Sequence, residues 1–403
     1  MSRSTYSVLW ALVFAAAVVC GLMLSGLPGT PDVPDFWMRW TGAMQAEGLA
    51  KGYAAVGSDY PPGAFVLLNL IRLLSEALGV ANVTVLKLSI TAAAVVAALV
   101  FVVAGRSLPA AAGFLFALLV NASAHGYLDA LSLPALLLSL WALRSGRPGW
   151  AALWYAFAVS VKWQPLIIAP FFVVHAVRQV PRETWMAGAR DAALRMAAGV
   201  APVVALFLAL VPFQEMRLSL TRALTGHVAL SFQGLNLNWL IQLGVYHAQH
   251  LSGRPYYEAV PPVLLTLLAK FLFWGCYAAV LWKFVKSGKT FADFALAACL
   301  GYTAYFIFNI GVHENHLFLG MVLGFVLLWE RAPLALVLSA YLAFAANVNL
   351  IAFYGIDGRT PLPCGPWISG AISALNVVFF AFLLVRFFVH DSPTGASGPA
   401  PAR

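Results

Sequence analysis

Charge is scarce in this sequence. Only 10% of its 403 residues are Asp, Glu, Lys or Arg, against about 25% in an ordinary soluble domain. Twenty-four basic and 15 acidic side chains cannot wet the surface of a soluble fold of this length, so the soluble-enzyme classes are excluded. Intrinsic disorder is excluded as well, because 62% of the residues are apolar. No polar stretch is long enough to form a globular domain carried on one or two anchors. Cysteine is sparse too. There are four, and no CxxC, so zinc and thioredoxin-type chemistry have no support. Cys20, Cys276 and Cys299 lie inside apolar runs and read as small hydrophobes, while Cys364 lies in a loop. There is no basic stripe with interleaved aromatics, so the net charge of +9 does not mark a nucleic-acid binder.

What the sequence has in quantity is long apolar runs, with a mean hydropathy of +0.85. An all-α polytopic integral membrane protein follows, since spanning backbone must satisfy its own hydrogen bonds. The runs predict about twelve spans: 7–27, 83–104, 108–123, 127–143, 149–161, 165–178, 191–212, 260–284, 291–311, 316–331, 333–352 and 367–389. The pairs 108–123/127–143 and 149–161/165–178 read as tight hairpins. The first run has one Arg ahead of it and no clean small-residue cleavage site, so it reads as a retained helix. A single transmembrane domain covers 1–390, and the Ser/Gly/Pro-rich tail 391–403 reads as disordered and cytoplasmic.

The basic residues set the orientation. With the N-terminus inside, one side receives Arg3, Arg106, Arg144, Arg147, Arg178, Arg182, Arg190, Arg195, Lys283, Lys286, Lys289, Arg331, Arg386 and Arg403. Fewer, including Arg39, Lys51, Lys87, Lys162 and Arg359, fall on the other side. That bias puts both termini in the cytoplasm. The expected location is the cell inner membrane, with the chemistry facing the periplasm or exterior. The outer side also holds the two long loops, 28–82 and 213–259, and long loops are where function tends to sit. Within the first, 61–79 is apolar but carries Arg72 and Glu76 on one helical face, so it reads as an interfacial helix rather than a span.

The polar residues of these outer segments are few. Asp32, Asp35 and Asp59 lie just beyond the first span, where a carboxylate is costly unless solvated or paired. Asp35, ahead of FWMRW, also suits a helix cap. Tyr60 follows in DYPPG. SVKWQP (160–165) places Lys162 and Gln164 at an outer hairpin tip, where a Lys either pairs with a phosphate or simply snorkels. QGLNLNWLIQLG offers Asn236, Asn238 and Trp239, suited to sugar hydroxyls and ring faces or to a plain membrane interface. GVHENHLFLG brings His313, Glu314 and His316 together at a membrane edge. HENH is not HExxH, so a zinc-protease site fails on spacing. Asp129 and His125 mark another outer tip, as substrate groups or as an interfacial cap.

The order D-F-x3-W, DYPPG, K-x-Q-P and HENH resembles the GT-C glycosyltransferases that use polyprenyl-phosphate sugars. The likeness is nearest to the polyprenyl-phosphate-mannose-dependent mannosyltransferases, including bacterial relatives of the second GPI mannosyltransferase. It implies a GT-C-like bundle and an inverting transfer of a sugar, mannose by family expectation, at the outer face. By resemblance Asp35 is the catalytic acid of the first loop, with Asp32 a nearby substitute. Asp32, Asp59, Tyr60, Asp129, Lys162, Gln164, Asn236, Asn238, His313, Glu314 and His316 are the expected substrate contacts. The implied partners are the polyprenyl-phosphate donor, membrane lipids and a glycan, glycolipid or protein acceptor, without nucleic acid. No resident cofactor or metal is expected, although a divalent metal stays open. The alternative is a transporter or flippase of a lipid-linked or small polar substrate. Such proteins usually carry repeats and broken, charged helices near mid-membrane, and neither is evident here.

Overall fold

Helix starts are written into the chain as prolines and short polar caps. Pro62 and Pro148 each occupy a first helical position, where the missing N–H costs nothing. Thr290 and Asp293 form a reciprocal capping box. The computed structural model describes residues 3–179, 185–226, 229–251, 253–332 and 334–389. The expected disordered tail, 391–403, lies outside them.

In chain order the helices are α1 (Arg3–Leu24), α2 (Arg39–Glu47), α3 (Leu49–Val56), α4 (Pro62–Leu78), α5 (Asn82–Gly105), α6 (Leu108–Leu119), α7 (Asp129–Arg144), α8 (Pro148–Val161) and α9 (Ala169–Arg178). They continue as α10 (Trp185–Leu210), α11 (Phe213–Thr225), α12 (Leu237–Ala248), α13 (Val263–Ser287), α14 (Phe291–Phe308), α15 (Phe318–Val326), α16 (Ala335–Tyr354) and α17 (Pro366–Val389). Two π turns, Val33–Met38 and Val120–His125, lead into α2 and extend α6. Two short parallel strands, β1 (Ser231–Phe232) and β2 (Val312–His313), pair Ser231 with Val312 and Phe232 with His313.

Each of the twelve apolar runs is helical. Among the described residues, eight helices are long and apolar enough to cross a membrane. The other runs are shorter. The 16 residues of α7 and 14 of α8 extend roughly 21–24 Å at ~1.5 Å per residue, less than the ~30 Å of a hydrocarbon core. Helices α14 and α15 form the centre. Their apolar residues point in all directions, and nearly all are buried. Helices α9, α13, α16 and α17 pack against them, while α7 packs between α5 and α8.

The two ends of this bundle differ. At one, Arg144 pairs with Glu330 at 2.5 Å and donates to Ala104 O, tying together the ends of α5, α7 and α15. The other collects the ends of α1, α4, α6 and α8. Helix α4 lies across that second end. Gly63 abuts Ser160 at the end of α8. In the last turn of α4 Glu76 accepts from Gln45, and just beyond the helix Asn82 donates to Thr41. Leu70, Leu73, Leu74 and Leu78 of α4 are left exposed on one side, as suits a helix lying in an interface.

Lys87, near the start of the predicted span 83–104, lies buried in α5. Its ammonium donates to Leu27 O at 2.5 Å and to Ala124 O at 2.8 Å. These carbonyls belong to the chain leaving α1 and to the second π turn, so the lysine clamps both to α5.

Candidate functional site

The two π turns sit side by side at the second end of the bundle. Thr30 N donates to His125 O at 3.1 Å, and the Trp37 indole donates to Gly126 O at 3.2 Å. Such turns are frequent at functional sites because they offset a helix face by one residue. Here they aim the Asp32 segment at the starts of α7 and the Glu314 turn.

An aromatic block fixes the DYPPG turn beside them. Trp37, Trp40 and Tyr60 meet edge to face at 4.9–5.4 Å, and Trp40 stacks on Phe65 at 4.7 Å. The Tyr60 carbonyl accepts from Tyr53 at 3.0 Å and from Ser219 of α11 at 2.7 Å. Gly63 is required by a close approach: a Cβ there would lie 2.4 Å from Ser160 O. That contact brings Tyr60 to Lys162 at the end of α8.

Lys162 is the hub. Its buried ammonium lies 3.5 Å from Asp129 Oδ1, donates to the Tyr60 hydroxyl and sits 3.9 Å over the Tyr60 ring. Asp129 occupies the first turn of α7, where the helix dipole favours a carboxylate. Its other oxygen accepts from Asn315 at 3.2 Å. Asn315 brings in the HENH turn. Glu314 is buried and accepts from the Tyr127 hydroxyl at 2.5 Å, while Asn349 donates to its main-chain carbonyl. Burial pushes the Glu314 carboxyl up to about 7, against the Tyr127 hydrogen bond.

Asp32 is half-buried within electrostatic reach of this group. Burial pushes its carboxyl up to about 6; the Lys162 ammonium opposes the rise, and Asp129, Asp59 and Asp35 add to it. Asp35 is placed differently. Its side chain is exposed and lines a separate cleft of about 420 Å³ with Arg359 and Tyr354. Asp59 is half-buried next to Tyr60. Gln164 presents an enclosed side-chain oxygen with no hydrogen-bond partner among the described residues.

His313 and His316 lie with their rings 5.2 Å apart. His313 stacks on Phe232 and lies 3.9 Å from Glu314. The His313 main-chain N–H donates to His316 Nδ1 at 3.3 Å, so a neutral His316 carries its proton on Nε2. Among the described residues, no group of three or more His, Cys, Asp or Glu is arranged to hold a metal ion.

Asn236 and Asn238, expected to meet a sugar, are engaged with main chain in this structure. Both are buried. Asn236 caps α12, and its amide donates to Phe306 O at 2.6 Å. Asn238 donates to Phe308 O and Asn309 O at 2.8 and 2.7 Å. A helix end leaves its last carbonyls without partners, and these amides satisfy those of α14. The sequence reading missed Tyr127, Asn315, Asn349 and Tyr305, which donate to or position the acidic and histidine side chains. None sits in a motif, apart from Asn315 inside HENH.

The assembled site joins a half-buried carboxylate whose pKa is raised to about 6, a buried lysine and a second buried acid. These come from segments far apart in the chain. Chemically it can accept a proton, hold an anion and exclude bulk water. No protein-family model matches this chain, and no curated protein matches it.

Proposed function

We propose that this chain is a membrane glycosyltransferase that moves a sugar from a polyprenyl-phosphate donor to an acceptor hydroxyl at the outer face of the membrane. The observation that carries the reading is the convergence of Asp32, Tyr60, Asp129, Lys162 and Glu314 at one end of the helices. The resemblance to polyprenyl-phosphate-mannose-dependent enzymes suggests mannose. The ionisable groups gather at an end rather than midway along the helices, which favours an enzyme over a transporter. The topology we propose has twelve passes, with both termini cytoplasmic.

In this mechanism Asp32, rather than Asp35, is the base. Its raised pKa suits proton uptake near neutral pH, whereas the Asp35 side chain is exposed. The acceptor oxygen forms a bond to C1 of the sugar as the bond from C1 to the phosphate oxygen breaks. The leaving phosphate keeps the electron pair, and Lys162 faces its growing charge. The hydroxyl proton passes to Asp32. Attack opposite the phosphate inverts the anomeric centre. Asp129 and Tyr60 position the Lys162 ammonium.

The test uses purified protein in lipid nanodiscs with radiolabelled polyprenyl-phosphate mannose and a membrane lipid extract as acceptor source. Release of polyprenyl phosphate by wild type, lost in Asp32→Asn, supports the reading. Equal release by the two proteins overturns the mechanism, and no release by either overturns the function.

A further inference from the structure

The cleft that holds Asp35 has no part in the chemistry just described. It opens beside the first π turn, walled by Pro31, Pro34 and Asp35 on one side and by Phe353, Tyr354 and Arg359 on the other. Its volume, about 420 Å³, falls in the ~300–1,000 Å³ range of small-ligand sites. Pro31 and Pro34 flank Asp32 in sequence, so the cleft adjoins the segment that carries that residue.

The far wall is built rigidly. Gly358 approaches Gly29 so closely that a Cβ would lie 2.4 Å from the Gly29 carbonyl carbon. His125 Nε2 donates to Gly355 O at 2.7 Å. Asp357 accepts from the main-chain N–H groups of Arg359 and Thr360 at 2.9 and 2.8 Å, and from the Thr360 hydroxyl at 2.7 Å. These bonds hold its carboxyl at about 2, so the loop that presents Arg359 stays locked at physiological pH. Functional groups on a preorganised loop bind with little loss of conformational freedom.

The lining chemistry selects the ligand class. Asp35 supplies hydrogen-bond acceptors and Arg359 supplies donors, and no ion pair joins them among the described residues. One carboxylate and one guanidinium cancel in charge, which disfavours an anionic ligand as well as a cationic one. Phe353, Tyr354 and the prolines offer apolar faces between them. An uncharged ring with hydroxyls around its edge matches this set: hydroxyls donate to Asp35 and accept from Arg359, and C–H faces pack on the rings.

We infer that the Asp35–Arg359 cleft is a binding site for the uncharged sugar end of the acceptor, which it presents to Asp32. The inference rests on the glycosyltransferase reading for the word acceptor, but sugar binding can be tested without turnover. The probe is octyl α-mannopyranoside carrying a diazirine, photolysed with purified protein in nanodiscs. Peptide mapping is expected to place the label in 31–36 or 353–361, with unlabelled octyl mannoside protecting. Asp35→Asn and Arg359→Ala each reduce that label about tenfold, the scale of one charge-assisted hydrogen bond. Both side chains are exposed, so both variants are expected to melt like wild type. Label confined to other segments, label indifferent to both variants, or protection by octyl phosphate equal to that by octyl mannoside would each overturn the inference. Cleft labelling in a protein that never cleaves the donor supports the sugar site and sinks the transferase reading. Donor cleavage without cleft labelling does the reverse.

Discussion

Replacing Asp32 by Asn sets stability and activity in opposition, and both effects follow from one property of the site. The fold raises the Asp32 carboxyl from 3.8 to about 6 because burial disfavours its charge. At ~1.4 kcal/mol per pH unit, the ionised form carries a penalty of roughly 3 kcal/mol at most. In the folded protein the carboxyl holds its proton more tightly than in the unfolded chain. The penalty is therefore absent below about pH 4, grows as pH rises toward 6 and is complete above it. Asn has the same shape without the charge, so it removes the penalty. At pH 7.5 Asp32→Asn is expected to unfold at a higher temperature than wild type, and the gap should close as pH falls to 4. Transfer should drop by ~10²–10⁴, the usual contribution of a general base. In wild type, kcat/KM should climb with pH, pass half its maximum near 6 and level off about one unit higher. The assay pairs thermal unfolding in nanodiscs, followed by tryptophan fluorescence, with donor turnover over the same pH series. A variant that melts lower at pH 7.5 and turns over like wild type would refute both the electrostatic argument and the assignment of the base.

Lys162→Ala removes the cation expected to face the leaving phosphate and leaves Asp129 without its ion pair; donor use should weaken tenfold or more, read as initial rates against donor concentration. Pairing it with Asp129→Asn should recover thermal stability without activity, which separates folding from phosphate binding. Gly63→Ala places a Cβ 2.4 Å from Ser160 O, so the DYPPG turn must move off α8; about 1–3 kcal/mol of stability should be lost, together with turnover. Single cysteines at Asp59 and Arg359 should both react with an impermeant maleimide added to intact cells, and reaction only after permeabilisation would contradict the proposed sidedness.

How far the sequence carried this account depended on whether a feature is local. The apolar runs become helices because lipid-like composition and backbone hydrogen bonding act within each segment. The pairing of Arg72 with Glu76 on one face of α4 was legible for the same reason, from their four-residue spacing. The position of Lys87 within a span was legible, but the two carbonyls it clamps come from distant segments and carry no local signal. Asn236 and Asn238 look equally suited to a sugar or to a helix end, and only the position of α14 decides between them. The choice between Asp32 and Asp35 was hidden likewise. Three residues apart, one ahead of a π turn and one within it, they face different surroundings. Tyr127 and Asn315 carry no local signal, and the contacts that matter reach across more than 180 residues.

The most direct measurement is the fate of the sugar–phosphate bond. Protein in sealed proteoliposomes is supplied with polyprenyl-phosphate mannose labelled in both the sugar and the phosphate. The products are separated and the anomeric configuration of the transferred sugar is read by NMR. The account predicts that the labels part company: free polyprenyl phosphate accumulates in step with a glycosylated acceptor whose anomeric centre is inverted. Both labels moving together across the bilayer in an intact donor would contradict it.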